Sequence, residues 1–177
     1  NGNGVKILKE NGINVEVGLL ERQAISINHD FFFRHKKGRP FIRMKIAQSL
    51  DAKIALSNGE SKWITSKKSR DDVQQIRLAC DAILVGSGTI LKDNPRLDVR
   101  KNIRNLNERQ PKKIVLGSSF LKRQNDIKIL KGTAEVIVFS KEFSSYAKEG
   151  NLIQIPIKKS TTLQDTLKEL GKHELNS

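Results

Sequence analysis

The segment SKKSRDDVQQIRLAC, residues 66–80, runs through Asp81 into AILVG, residues 82–86, and this pair of patterns decides the fold class. Val73, Ile76 and Cys80 recur at helical spacing, which predicts a helix over Ser66–Cys80 with those three facing inward. Ala82–Gly86 is a short continuous apolar run, the texture of a strand buried on both faces. Downstream, Ile114–Leu116 and Val136–Phe139 are runs of the same kind. Thr161–Lys172 returns to helical period, with Thr161 and Gln164 spaced as a capping box and Gly171 near the end. Strands alternating with helices predict an α/β fold, a largely parallel mixed sheet flanked by helices. Such a fold wants another buried strand after the last helix, so the domain reads as truncated at its C-terminus.

Upstream the texture differs. Gly4–Asn11 reads as the end of a helix stopped by Gly12, and Ile13–Val17 alternates as a short strand does. Glu21–Arg34 is predicted helical, with Ala24, Ile25, Ile27, Phe31 and Phe32 on its buried side. His35-Lys36-Lys37-Gly38-Arg39-Pro40 then breaks the pattern with charge, glycine and proline, which marks a domain boundary. Beyond it Phe41–Ser49 is a strand candidate and Leu50–Lys62 a polar connection.

The chain has 177 residues, enough for one ordinary domain and short of two. It starts at Asn1 and its single methionine is Met44, so a piece of a longer protein is expected. One cysteine, Cys80, forms no internal disulfide, and neither a signal pattern nor a membrane-spanning apolar run occurs. A cytoplasmic location with no membrane association follows as the expectation. Thirty-three Lys and Arg against 19 Asp and Glu give a formal charge of +14. That excess suits nucleic acid, small phosphorylated ligands, or a solvated lysine-rich surface. The lysines are scattered and aromatics are only 5%, so the stacking and stripe patterns of nucleic-acid modules are lacking. No nucleic-acid partner is expected.

Generic motifs add little. There is no phosphate-binding Walker loop and no GxGxxG after a strand, and Gly86-Ser87-Gly88 is too short for a dinucleotide fingerprint. His29, His35 and His173 are not spaced as metal ligands, so no metal site is expected. Cys80 on a helix reads as packing rather than as a nucleophile.

A longer string is specific. Met44-Lys45-Ile46-Ala47-Gln48-Ser49-Leu50-Asp51 leads to Gly59-Glu60-Ser61-Lys62-Trp63-Ile64-Thr65-Ser66. Arg70-Asp71-Asp72-Val73-Gln74 and Arg77 follow, then Ala82–Gly86, Thr89-Ile90-Leu91-Lys92-Asp93-Asn94-Pro95, and Leu97 through Arg100. In order and spacing, from about Gly38 to Arg100, this string resembles the reductase domain of the bifunctional riboflavin-biosynthesis deaminase–reductases. From Lys101 to Ser177 the resemblance is one of pattern. Gly2–Leu8 followed by Asn11–Val15 resembles the last helix and strand of the deaminase domain that precedes such a reductase. Residues 1–38 are therefore read as the end of the deaminase domain plus linker, and 39–177 as the N-terminal part of the reductase domain.

The resemblance implies a dihydrofolate-reductase-like fold and an NADPH-dependent reduction of the ribose of 5-amino-6-(5-phosphoribosylamino)uracil to a ribityl chain. It implies cofactor contacts at Ala47, Trp63, Thr89, Asp93 and Ser118, and substrate contacts at Ser61, Arg77, Leu97 and Arg100. The substrate is a small phosphorylated pyrimidine, and paired guanidiniums suit its phosphate. The deaminase's zinc would belong to the part of the parent protein that carries the H-x-E and P-C-x-x-C segments, absent from this sequence. A homo-oligomer is expected of the intact enzyme, and this piece alone is expected to be inactive. No residue is assigned as catalytic acid.

Taken singly, the same residues read otherwise: Trp63 as core, Asp93-Asn94-Pro95 as a turn, Arg77 as a solvated helix residue. Two positions depart from the family pattern. Ala52 stands where glycine is usual, which strains the chain if φ is positive there. Gly117 stands where an acidic residue is usual, just before Ser118. Two rival functions remain at this point: a reductase of the same fold acting on a pteridine-like substrate, and a basic nucleic-acid-binding module.

Overall fold

The computed structural model describes residues 2–100, 110–122 and 126–177. Among these, three helices come first: α1 (Asn3–Glu10), α2 (Glu21–Ile27) and α3 (His29–Lys37). Then follow α4 (Lys67–Ala79), β1 (Ala82–Gly86), α5 (Ser87–Asp93), β2 (Lys112–Leu116), β3 (Val136–Ser140), β4 (Ala147–Glu149), β5 (Leu152–Pro156) and α6 (Leu163–Lys172). Short 3-10 turns at Ser119–Lys122 and Lys128–Leu130 link β2 to β3. The sheet order is β1-β2-β3-β5-β4; all neighbours are parallel except β4 against β5.

The expected α/β architecture is thus present, and strand alternation builds its two cores. Val115, Val136 and Val138 face one side, where they pack with Ile90 of α5, Leu97, Phe120 and Ile129. Ile114, Ile137 and Phe139 face the other, against Ile153, Leu170 of α6 and Leu175. β2 and β3 fit the expected description of strands buried on both faces. β1 does not: it lies at the sheet edge and leaves Leu84 39% exposed.

Several other expectations are corrected. Ile13–Val17 forms no strand, because no neighbouring strand lies alongside it among the described residues. The helix expected over Glu21–Arg34 is two helices broken at Asn28, and its apolar side is open, with Ile27 81% exposed and Phe31 and Phe32 also exposed. Only Phe33 turns inward, edge-on to Phe41 at 5.3 Å. Phe41–Ser49 is extended but pairs with no strand of the sheet; its first amide donates to the Asn176 carbonyl at 2.8 Å. On α4, Val73 and Cys80 are half-buried and Ile76 is exposed. The capping box of α6 sits one residue later than expected, on Thr162 and Asp165. Thr161 uses its hydroxyl instead to accept the Lys158 amide at 3.0 Å.

Ala52 has φ of 61°, the left-handed conformation in which glycine is at ease and a Cβ is strained. It closes a tight turn in which the Ala52 amide donates to the Ser49 carbonyl at 3.0 Å and the Lys53 amide to Ser49 Oγ at 3.0 Å.

Candidate functional site

The residues singled out in the sequence fall into three groups. The first lies beyond the carboxyl ends of β1, β2 and β3, where open α/β sheets collect ligands. Thr89 and Asp93 are exposed on α5, the helix that leaves β1, while Ile90 between them is buried and anchors it. Ser118 follows β2 and is 5% exposed. Its hydroxyl is 2.7 Å from that of Ser140 at the end of β3 and 3.2 Å from a Glu142 carboxylate oxygen. Lys122, 3.0 Å away, and the Ser118 hydroxyl hold the Glu142 carboxyl below the usual carboxylate range. Ser119 donates to Ser87 at 3.1 Å across the same edge. Gly117 is explained here: its φ is +92°, and a Cβ would come 2.7 Å from Ser87 Oγ. A side chain at 117 would require Ser87 to move and would strain the backbone at this positive φ.

The second group is Ala47, Ser61 and Trp63, on the irregular segment between Pro40 and Ser66. Ala47 is half-buried and lies outside any strand, contrary to the expectation. Trp63 is 72% exposed, so it is not core. Arg70, in the first turn of α4, covers one face of the indole with its guanidinium carbon 4.1 Å from the ring centroid. The side chain of Ser66 caps α4 by accepting the Ser69 amide, which fixes where Arg70 emerges.

The third group brings Arg77, Leu97 and Arg100 together. Arg77 lies near the end of α4, where its Nη1 donates to the Asp98 carbonyl at 3.1 Å. The Arg100 amide donates back to Gln74 Oε1 of α4 at 3.1 Å. Leu97 is buried in the core, where its side chain anchors the segment, with its backbone at φ 56°. Val99 is also buried and exchanges backbone contacts with Gln110, its amide donating to Oε1 at 2.9 Å. With 97 and 99 pointing inward, Arg96 and Arg100 are exposed, and the Asp98 side chain is tucked between them and the protein. The Asp98 carboxylate takes Arg96 Nε at 2.7 Å and Arg100 Nε at 3.6 Å. Burial, and then the neighbouring Arg100 charge, lower the Arg77 pKa. Lys113 of β2 is buried close by and donates to the carbonyls of Ile129 at 2.9 Å and Lys131 at 3.1 Å; burial lowers its pKa.

The first and third groups lie at different places on the sheet, one beyond its carboxyl edge and one beside the residues that lead into β1 and β2. Asp98, Gln74, Gln110 and Glu142 are additions that the sequence reading did not single out. The alternation Arg96-Leu97-Asp98-Val99-Arg100 was the available signal for Asp98, since every second residue is charged. No group of three or more His, Cys, Asp or Glu side chains that could hold a metal occurs among the described residues.

A match to the RibD C-terminal domain spans residues 40–177. The chain belongs to the RibD C-terminal domain family. The RibD riboflavin biosynthesis protein of Buchnera aphidicola is 49% identical over 122 residues, covering 69% of this chain and 32% of that protein. The structure of Acinetobacter baumannii RibD superimposes with a TM-score of 0.82 at 35% identity, covering 99% of this chain and 49% of that one. A deaminase/5-amino-6-(5-phosphoribosylamino)uracil reductase from Thermotoga maritima gives 0.79 at 33% identity, over 99% and 48%. This chain spans about a third to a half of the length of the curated RibD proteins it matches. The resemblance read from Met44–Arg100 is borne out, and the RibD-type, dihydrofolate-reductase-like fold with it.

Proposed function

We propose that this chain carries the first part of an NADPH-dependent reductase that reduces the ribose of 5-amino-6-(5-phosphoribosylamino)uracil to the ribitylamino product in riboflavin biosynthesis. Residues 1–38 would be the end of a deaminase domain with its linker, and 39–177 the N-terminal part of the reductase. The deamination of the preceding pyrimidine, and the zinc it needs, would belong to the rest of a bifunctional parent, a homo-oligomer of the cytoplasm. Among the described residues no helix is long and apolar enough to cross a membrane.

The observation that carries this reading is the arginine pair Arg77 and Arg100, converged on Asp98. A phosphorylated substrate needs such a pair and a pteridine does not. At the carboxyl edge the Ser87 and Ser119 hydroxyls beside Gly117, with Thr89 and Asp93 exposed on α5, support a dinucleotide site, and the buried Ser118 braces it from within through Ser140 and Glu142. Trp63 offers one open aromatic face, and Ala47 contributes a small side chain from the same irregular segment. NADPH, when bound, supplies the hydride for C1′ of the opened sugar. The protein's part is to hold the phosphate at one end through Arg77 and Arg100, with Ser61 and the backbone at Leu97, and so to orient the sugar chain.

The test is NADPH oxidation by the full-length protein with the phosphoribosylaminouracil as substrate, with ribitylamino product identified by mass. Turnover of a pteridine with none of the uracil would establish the rival reductase. Salt-dependent binding to random duplex without turnover would establish the nucleic-acid module.

A further inference from the structure

Asp98 is surrounded by more positive charge than it can neutralise. Its carboxylate is ion-paired to Arg96 and Arg100, its carbonyl accepts from Arg77, and the Lys113 ammonium feels its charge from the adjacent strand. Its side chain is only 16% exposed, and Oδ1 is buried with no hydrogen-bond partner among the described residues. A buried carboxylate oxygen left without a donor is destabilising and calls for a reason.

The geometry of the contacts suggests one. Arg96 donates to the carboxylate through Nε at 2.7 Å, and Arg100 lies beside it with its Nε 3.6 Å from the other oxygen, an ion pair without a hydrogen bond. A guanidinium held by Nε keeps its two terminal NH2 groups for another acceptor. Arg77 likewise commits Nη1 to the Asp98 backbone and keeps Nη2. Without the carboxylate they share, the charges of Arg96 and Arg100 would repel each other.

We propose that Asp98 is a positioning residue for phosphate recognition: it fixes the spacing and roll of Arg77, Arg96 and Arg100 so that their free terminal nitrogens converge on the substrate's 5′-phosphate. Arg96, which the family resemblance did not assign, becomes the third arginine of that site. The proposal rests on the reading of Arg77 and Arg100 as substrate residues. It makes a statement that a counter-ion role does not: where the carboxylate sits matters, beyond its charge. A mere counter-ion competes with the phosphate, and its removal would tighten phosphate binding.

The experiment is steady-state kinetics on the full-length enzyme, with KM measured separately for the phosphoribosylaminouracil and for NADPH. Asp98→Asn, which keeps size and shape, should raise the substrate KM about tenfold, the loss of one charge-assisted contact, and leave the NADPH KM in place. Asp98→Glu keeps the charge and the fold but carries the carboxylate one methylene further, and should still raise the substrate KM at least threefold. Arg96→Gln should raise it as well. An unchanged or lowered substrate KM in Asp98→Asn, or a wild-type value in Asp98→Glu, overturns the positioning role. Arg100→Ala, run beside them, separates the two levels. If it raises the substrate KM while the Asp98 variants do not, only this inference falls. If it moves the NADPH KM alone, the substrate reading of the arginines falls, and this proposal with it.

Discussion

Gly171 of α6 lies so close to Gly38 that a Cβ at position 171 would run into the Gly38 carbonyl oxygen. The contact seats the end of α6 on the turn that closes α3. Arg34 of α3 reinforces it by donating from Nε to Asn176 Oδ1 at 2.8 Å and from Nη1 to the Gly171 carbonyl at 3.4 Å. The helix therefore carries glycine where its own propensity would favour alanine. In Gly171→Ala the helix gains about 1 kcal/mol of propensity. It loses more to backbone overlap, since overpacking against rigid backbone costs roughly 1–3 kcal/mol. The expected net result is a lower denaturant midpoint with unchanged slope, measured by circular dichroism. A raised midpoint would mean that α6 can shift away from Gly38 freely.

Ala52 gives a prediction of the opposite sign. Its φ of 61° places a Cβ in the left-handed region, in a turn already closed by Ser49 and Lys53. Left-handed strain for a non-glycine residue is roughly 1–2 kcal/mol. The extra freedom of glycine in the unfolded chain returns about 0.4–1 kcal/mol of that. Ala52→Gly should therefore stabilise the protein by up to about 1.6 kcal/mol, seen as a Tm rise of a few degrees. A lowered Tm would show that the turn relaxes out of positive φ in solution.

Trp63 is the chain's single tryptophan, so its emission reports on one site. With 72% of it exposed, the guanidinium of Arg70 at 4.1 Å is what holds one face. A cation over an exposed ring contributes about 0.5–1 kcal/mol, a factor of about two to five in ordering the indole. Arg70→Ala should shift the Trp63 emission and raise the KM for NADPH by about that factor, with the KM for the uracil substrate little changed. An emission spectrum identical to wild type would show that the stacking does not persist in solution.

The sheet was legible where the chain is apolar without interruption. Ala82–Gly86, Ile114–Leu116 and Val136–Phe139 are all strands because each pairs in parallel with a neighbour, β2 and β3 burying their side chains and β1 closing the edge. β4 and β5 were not legible: Ala147–Glu149 is exposed and Leu152–Pro156 mixes glutamine and proline with its isoleucines, as an outer hairpin can. Phe41–Ser49 has strand texture and stays unpaired, since pairing depends on a neighbour and not on the segment itself. For the site, the string around Arg77 and Leu97–Arg100 located a cluster that the fold does assemble. What it missed is the acceptors. Asp98 and Gln74 matter through contacts between α4 and residue 100, and such contacts exist only once α4 is packed beside that segment.

The last prediction concerns Arg77 itself. Its Nη1 is committed to the Asp98 carbonyl at 3.1 Å, and burial together with Arg100 lowers its pKa. A guanidinium tolerates this because its charge is delocalised and its pKa starts far above neutrality, while its plane leaves parallel N–H groups for a phosphate. Lysine at 77 has one nitrogen for both tasks. It must either keep the Asp98 carbonyl or turn to the ligand, and its ammonium is more easily discharged beside Arg100. Arg77→Lys should therefore be damaging although the formal charge is kept. Losing one charge-assisted contact costs roughly 1.5–3 kcal/mol, about ten- to a hundredfold in kcat/KM for the phosphorylated substrate. The KM for NADPH should move little, and Arg77→Lys should melt within a few degrees of wild type. Steady-state kinetics with both ligands varied decide the matter: a collapse of NADPH affinity with the substrate's unchanged would place Arg77 on the cofactor, and wild-type values for both would remove it from the site.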